Sequence, residues 1–257
     1  MKYKNAVTIV TGGCSGLGKN LAENLVKLGT KVVIADINKK EGQSIQMLLG
    51  KNCKFIETDI GDETSVKDMV KQAVDTFGHI NFVSNTAAIL PLDNLLWKGP
   101  GPEDSFNVKN LKAVFDVNFF GILYVTKYSS EQMVKQDPIP ELMNQRGCII
   151  NVSSILSTDS PPGYLSYCGT KGAINSVCLP LARELGPKGI RVNTIAPGLF
   201  LTPQNVRLTP DDVKGICQGN PIGRPGDFNE YSDLCIEIFN NGYINGTIIR
   251  LDGGLRI

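Results

Sequence analysis

The chain has 257 residues, 42% hydrophobic and 20% charged, with a formal net charge of +1. That length and polarity suit a globular chain with one large α/β core, and the near-neutral charge gives no general attraction for nucleic acid or an anionic membrane. Apolar runs such as Val32 to Ala35 and Cys148 to Ile150 are far short of a bilayer span, so no membrane partner is expected.

The first residues are basic but lack an apolar h-region and a cleavage site, so the expectation is an intracellular protein, cytoplasmic or mitochondrial, not secreted. Short β-branched runs then alternate with helical patterns. Ala6 to Gly13 is followed by a helix with Leu17, Leu21, Leu25 and Leu28 on one face, ended by Gly29. Lys31 to Asp36 is continuously apolar inside, as in a strand covered on both faces. Cys53 to Ile60 reads as the next strand. A helix capped by Asp62 carries Val66, Met69, Val70 and Val74 inward, and a further strand is expected from Ile80 to Ala87.

Later strands are expected in Gly147 to Ser154, Ile190 to Gly198 and Thr247 to Gly254, each after a helical stretch. This rhythm predicts a single-domain Rossmann-type α/β fold, a doubly wound parallel sheet with helices on both faces, over residues 1–257. Two stretches rich in Pro and Gly interrupt it, Ile89 to Ser105 and Leu201 to Asp227. Long loops after strands of such a sheet are candidate substrate walls.

Seven cysteines, from Cys14 to Cys235, have no CxxC spacing and read as reduced thiols. The single histidine, His79, has no partner imidazole; it reads as a boundary residue, and no metal site is expected.

Chemistry concentrates in three places. Gly12, Gly16 and Gly18 form a GxxxGxG loop between the first strand and helix: Gly12 for the turn, Gly16 for backbone approach to a pyrophosphate, Gly18 for packing of helix on strand. Asp36 ends the second strand, where a carboxylate either accepts from an adenosine ribose or caps the next helix; no arginine stands beside it, which favours NAD over NADP. Tyr167 and Lys171 are four residues apart and share a helical face, whereas Tyr164 lies seven residues from Lys171. A nearby ammonium favours the phenolate and suits Tyr167 to acid/base work, although the same spacing also occurs on ordinary solvated helices.

Thr11 to Gly18, Asn85 to Ala88, Asp116 to Gly121, Ile150 to Ser154, Tyr167 to Lys171 and Ile195 to Thr202 resemble, in order and spacing, the motifs of the short-chain dehydrogenase/reductase family. The resemblance implies that Tyr167 is the general acid/base and that Lys171 lowers its pKa and holds the nicotinamide ribose. It further implies that Ser154 bonds the substrate oxygen while Ser153 takes the non-catalytic position, and that Asn118 holds a relay water. The bland alternatives are serines capping a strand and a buried polar kink at Asn118.

For the cofactor it implies Ser15 and Leu17 at the pyrophosphate, Asp59 and Ile60 at the adenine, and Asn85, Thr86 and Ala87 on the adenosine side. Pro197 and Gly198 lead to Phe200 and Thr202 at the carboxamide. Ala88 replaces the family's usual glycine, which is tolerable only at a negative backbone φ.

The C-terminal half is similar to the branch of the family that interconverts 3-hydroxyacyl-CoA and 3-ketoacyl-CoA and also oxidises hydroxysteroids. This implies a small-molecule substrate, acyl-CoA or steroid-like, and a homotetramer. Alternatives are another alcohol dehydrogenase, a 3-oxoacyl carrier-protein reductase, or a catalytically silent NAD-binding scaffold. Lys98, Lys109, Arg207 and Lys214 are candidates for CoA phosphates or plain surface charges. Leu92, Leu95, Leu96, Trp97, Leu199 and Leu208 are candidates for an apolar pocket or for loop packing.

Overall fold

The computed structural model describes residues 5–93, 107–205 and 208–257. Among them a seven-stranded sheet runs in the order β3-β2-β1-β4-β5-β6-β7. The strands are β1 (Val7–Thr11), β2 (Lys31–Asp36), β3 (Cys53–Glu57), β4 (Phe82–Asn85), β5 (Gly147–Val152), β6 (Ile190–Pro197) and β7 (Ile248–Leu251). Every pairing is parallel.

The helices are α1 (Gly16–Lys27), α2 (Lys39–Leu49), α3 (Glu63–Phe77), α4 (Val108–Phe115), α5 (Ile122–Val134), α6 (Leu165–Leu185), α7 (Pro210–Gln218) and α8 (Phe228–Asn240). The continuous apolar character of the inner strands follows from cover on both faces. Along β2, Val32 and Ile34 join a core with Leu21 and Leu25 of α1 and Phe239 of α8. Val33 and Ala35 point the other way, into a core with Val66 and Met69 of α3 and Val125 of α5. Successive strand residues face opposite sides, so a strand inside two cores has no polar face to show. The doubly wound architecture expected from the alternating pattern is the one observed.

Two details differ from the periodic reading. Leu28 is the C-cap of α1 and 42% exposed, because the helix has ended and Gly29 turns away at φ 82. On α3 it is Ala73, not Val74, that is fully buried, with Val74 packed at the core's margin. His79 lies just after the α3 C-cap and its Nε2 meets the Asn5 carbonyl at 3.2 Å. All seven cysteines are free thiols, and burial pushes the thiol pKa of Cys14, Cys53 and Cys235 up to about 12. No helix among the described residues is long and apolar enough to cross a membrane.

Strand order reverses between β1 and β4, which places a crevice at their carboxyl ends. The strand ends Thr11, Asp36, Asn85, Val152 and Pro197 all come out on this edge. The approach of α2 to β3 is close enough to exclude a side chain: a Cβ on Gly42 would lie 2.1 Å from the Phe55 ring. Gly42→Ala is therefore expected to destabilise the fold by about 1–3 kcal/mol through overpacking, read as a lower midpoint in urea unfolding without a change of slope.

Candidate active site

The glycine loop forms one end of the crevice. Gly12 and Gly16 sit at φ 64 and 49, a region side chains disfavour. A Cβ on Gly18 would lie 2.5 Å from the Gly12 carbonyl oxygen, so this glycine lets α1 close on the loop itself, not on the strand as its position in the motif suggests. Ser15 caps α1 in an extended conformation without a side-chain cap bond, and the first turn has no acidic residue. Its amides and positive dipole end are thus left for an anion.

Asp36 holds this loop. One carboxylate oxygen accepts from the Cys14 amide at 3.0 Å, and the other from the Asn38 amide at 3.0 Å. The cap of α2 is Asn38, which accepts from the Glu41 amide at 3.2 Å, so helix capping does not account for Asp36.

A cleft of about 1060 Å³ follows, lined by Gly12, Ser15, Gly16, Leu17, Gly18, Asp36, Asp59, Ile60, Thr86, Ala87 and Thr202 from the expected cofactor set. It also takes in Ile37, Thr58, Val117 and Gln204, which sequence reasoning missed. Ile37 and Thr58 directly follow β2 and β3, and the rule that ligands gather at strand carboxyl ends was the available signal. Asn85 does not reach the wall. It is buried, and its Nδ2 donates to Asn151 Oδ1 on the neighbouring strand at 2.9 Å. Ala88 fits, because the described non-glycine residues with positive φ are Met143 and Asn144 alone.

A second cleft, about 1010 Å³, meets the first at Leu17, Thr86, Ala88, Thr202 and Gln204. Ser154, Tyr167, Lys171, Pro197, Gly198 and Phe200 line it, with Leu90, Leu156, Tyr164, Leu199, Leu208 and Ile216 supplying apolar wall. Of the side chains expected to form an apolar pocket, Leu199 and Leu208 are there and Leu92 is not. Leu95, Leu96, Trp97, Lys98 and Arg207 lie outside the described residues. Lys109 and Lys214 are exposed and do not line either cleft.

The Ser154 side chain acts on the Tyr167 phenol and lowers its pKa. Ser154 also accepts from the Leu156 amide at 3.1 Å, while Ser153 is turned away and donates to the Lys171 carbonyl at 2.9 Å. The Lys171 ammonium donates to the Val152 carbonyl at 2.7 Å and stands 5.4 Å from the centre of the Tyr167 ring. Asn118 sits in a π-helical stretch, Asp116–Gly121, joining α4 to α5. It accepts from the Ile89 amide at 2.8 Å and donates to the Ile89 carbonyl at 2.9 Å. Its side chain therefore clamps the chain after β4, and it lines neither cleft.

Burial dominates the electrostatics. It pushes the Tyr167 phenol up to about 12, against the Ser154 hydrogen bond that lowers it. It pulls Lys171 down to about 7. The net shift of the phenol in the cofactor-free protein is upward although Lys171 stands 5.4 Å from the ring, because loss of solvation is the largest effect.

The short chain dehydrogenase family model matches residues 6–212. The chain belongs to the short-chain dehydrogenase/reductase family. Within this family it is 35% identical to 3-hydroxyacyl-CoA dehydrogenase type-2 of Bos taurus, over 99% of this chain and 96% of that protein. Its fold is similar to the crystal structure of 3-hydroxyacyl-CoA dehydrogenase type-2 from Mycobacterium avium, with a TM-score of 0.89 and 26% identity over 100% of this chain and 98% of the other. It is also similar to 3-ketoacyl-(acyl-carrier-protein) reductase from Brucella melitensis complexed with NADH, with a TM-score of 0.86 and 25% identity over 98% of each chain. The protein is an oxidoreductase of this family.

Lys171 carries a stability signature with a definite sign. Its folded pKa, about 7, lies below the ordinary 10.5. Between those values the unfolded chain binds more protons, so stability rises with pH across that window. In cofactor-free protein, raising the pH from about 6 to about 9 is expected to improve the melting temperature of the wild type relative to Lys171→Met. A constant difference in differential scanning fluorimetry would refute the buried ammonium.

Proposed function

We propose that this protein is an NAD-dependent dehydrogenase interconverting a 3-hydroxyacyl-CoA and the corresponding 3-ketoacyl-CoA. The observation that carries the reading is that Ser154, Tyr167 and buried Lys171 line one apolar cleft continuous with the glycine-lined one. The similarity to 3-hydroxyacyl-CoA dehydrogenases supports the substrate class.

The substrate oxygen binds between the two hydroxyls. In ketone reduction Tyr167 donates its proton to that oxygen; in alcohol oxidation it takes the hydroxyl proton. A phenol held near 12 is protonated at neutral pH and suits the first direction. A bound nicotinamide would supply or accept the hydride at the substrate carbon, and its oxidised form would add positive charge. Lys171, in its charged form, stabilises the phenolate that oxidation requires. Ser154 fixes the substrate oxygen against Tyr167, and the leucine wall excludes water from the acyl chain.

The glycine cradle and uncapped α1 amides fit a pyrophosphate, and Asp36 supports NAD: a 2′-phosphate there meets like charge. Of the nearby cations, Lys39 and Lys19 are paired with Glu57 and Glu41, each at 2.9 Å, and Lys40 is exposed. The same reading includes a homotetramer, for which exposed Val108, Phe120 and Ile248 offer apolar surface.

The purified protein mixed with acetoacetyl-CoA and NADH is expected to consume NADH, faster than NADPH. Turnover confined to steroid alcohols would move the assignment to a hydroxysteroid dehydrogenase. Turnover of a carrier-protein thioester with NADPH would move it to a carrier-protein reductase, and NADH binding without turnover would leave a scaffold. Tyr167→Phe is expected to lower kcat by about 10²-fold or more with NADH affinity unchanged, while Tyr164→Phe keeps most activity. Asp36→Ser is expected to erode the preference for NADH over NADPH by about tenfold, measured as the ratio of kcat/KM values.

A further inference from the structure

We propose that Asp93 is a positioning residue for the reaction, a helix cap supplied from the substrate loop that sets Tyr167 in place; the inference rests on the assignment of Tyr167 as acid/base. α6 begins badly by local criteria. Its N-cap is Tyr164, which makes no side-chain cap bond, and its first turn has no acidic residue. A helix start with unsatisfied amides and an uncompensated dipole frays. Yet Tyr167 stands in this turn, three residues past the cap, where fraying would move its hydroxyl away from Ser154.

The missing acceptor comes from 73 positions upstream. Asp93 is 1% exposed, and its carboxylate accepts from the Ser166 amide at 3.0 Å and, through the other oxygen, from the Ser166 hydroxyl. Its backbone adds a second tie: the Asp93 amide donates to the Gly163 carbonyl at 2.8 Å, in a parallel bridge with Tyr164. A carboxylate this deeply buried is costly unless its oxygens are bonded, and both are committed to the start of one helix.

The other end of the same short segment is also fixed. Ile89, four residues before Asp93, is held at its amide and carbonyl by Asn118. Asn118 in turn donates to Thr170 Oγ1 at 3.3 Å, one turn along α6 from Ser166. Ile89 to Asp93 is therefore stapled at both ends to the helix bearing Tyr167 and Lys171. The route from β4 into the substrate loop and the placement of the phenol are one mechanical unit.

The test compares Asp93→Ala, Asp93→Asn and Ser166→Ala by amide hydrogen exchange of the cofactor-free protein and by steady-state kinetics with acetoacetyl-CoA and NADH. Asp93→Ala is expected to speed exchange in residues 164–170 but not in α3, and to lower kcat by about tenfold or more with NADH affinity unchanged. Asp93→Asn, which keeps an oxygen for the Ser166 amide, is expected to recover most of both. Should Asp93→Ala not fold, Ser166→Ala carries the test with a smaller change of the same kind.

Unchanged exchange at the start of α6 would overturn the proposal. So would wild-type kcat in the folded fraction of Asp93→Ala. A wild type inert toward every acyl-CoA would count against the proposed function alone, and the exchange measurement would still decide whether Asp93 holds the helix.

Discussion

Covering both faces of a parallel sheet is the constraint from which the site follows. Each inner strand puts alternate side chains into two separate cores, with α1 and α8 closing one and α3 and α5 closing the other. Ligands are thereby excluded from the faces, and the two clefts open at the carboxyl edge. There the connections out of β1 and β4 turn to opposite sides, and the backbone itself makes a crevice. The glycine loop, Asp36 and the Ser154 turn all lie at or just beyond a strand's carboxyl end. Their convergence needs no long-range instruction beyond the strand order.

Inside that crevice desolvation sets the chemistry. Tyr167 and Lys171 are drawn off water to the point that the phenol is pushed up to about 12 and the ammonium down to about 7. Both shifts favour neutral forms, so the charges that the proposed reaction uses are unfavourable in the cofactor-free protein. A bound positive charge favours the Tyr167 phenolate and disfavours the Lys171 ammonium, so in the proposed reaction the charge of an oxidised cofactor acts on Tyr167. The backbone carbonyl of Val152 accepts from the Lys171 side-chain nitrogen at 2.7 Å.

Much of this was legible in the chain. Continuous apolar strands announced burial on both faces, Gly12, Gly16 and Gly18 announced the loop, and the four-residue spacing chose Tyr167 over Tyr164. Other features were legible only in part. Asn118 reads as the holder of a relay water or as a buried polar kink, and neither reading reveals its partner, because Ile89 is 29 residues away and bonds through backbone atoms that any residue would offer. Asn85 sits in a recognisable motif, yet its amide turns into the sheet toward Asn151. Ile37, Thr58 and Gln204 carry no chemical signature and enter the cleft by position alone.

Local rules act over a few residues, so the sequence by itself determined the elements, their burial pattern, the glycine loop and the helical partnership of Tyr167 with Lys171. Tertiary structure decided what those rules cannot reach: that two clefts are continuous, that Asp36 ties down the glycine loop, and that Asp93, bridged to Tyr164, bonds the start of the helix carrying the phenol. It also decided the sign of the electrostatics. A lysine four residues from a tyrosine predicts a lowered phenol pKa in water, whereas the packing around both removes the solvent, and the net shift is upward although Lys171 stands 5.4 Å from the ring, because loss of solvation is the largest effect.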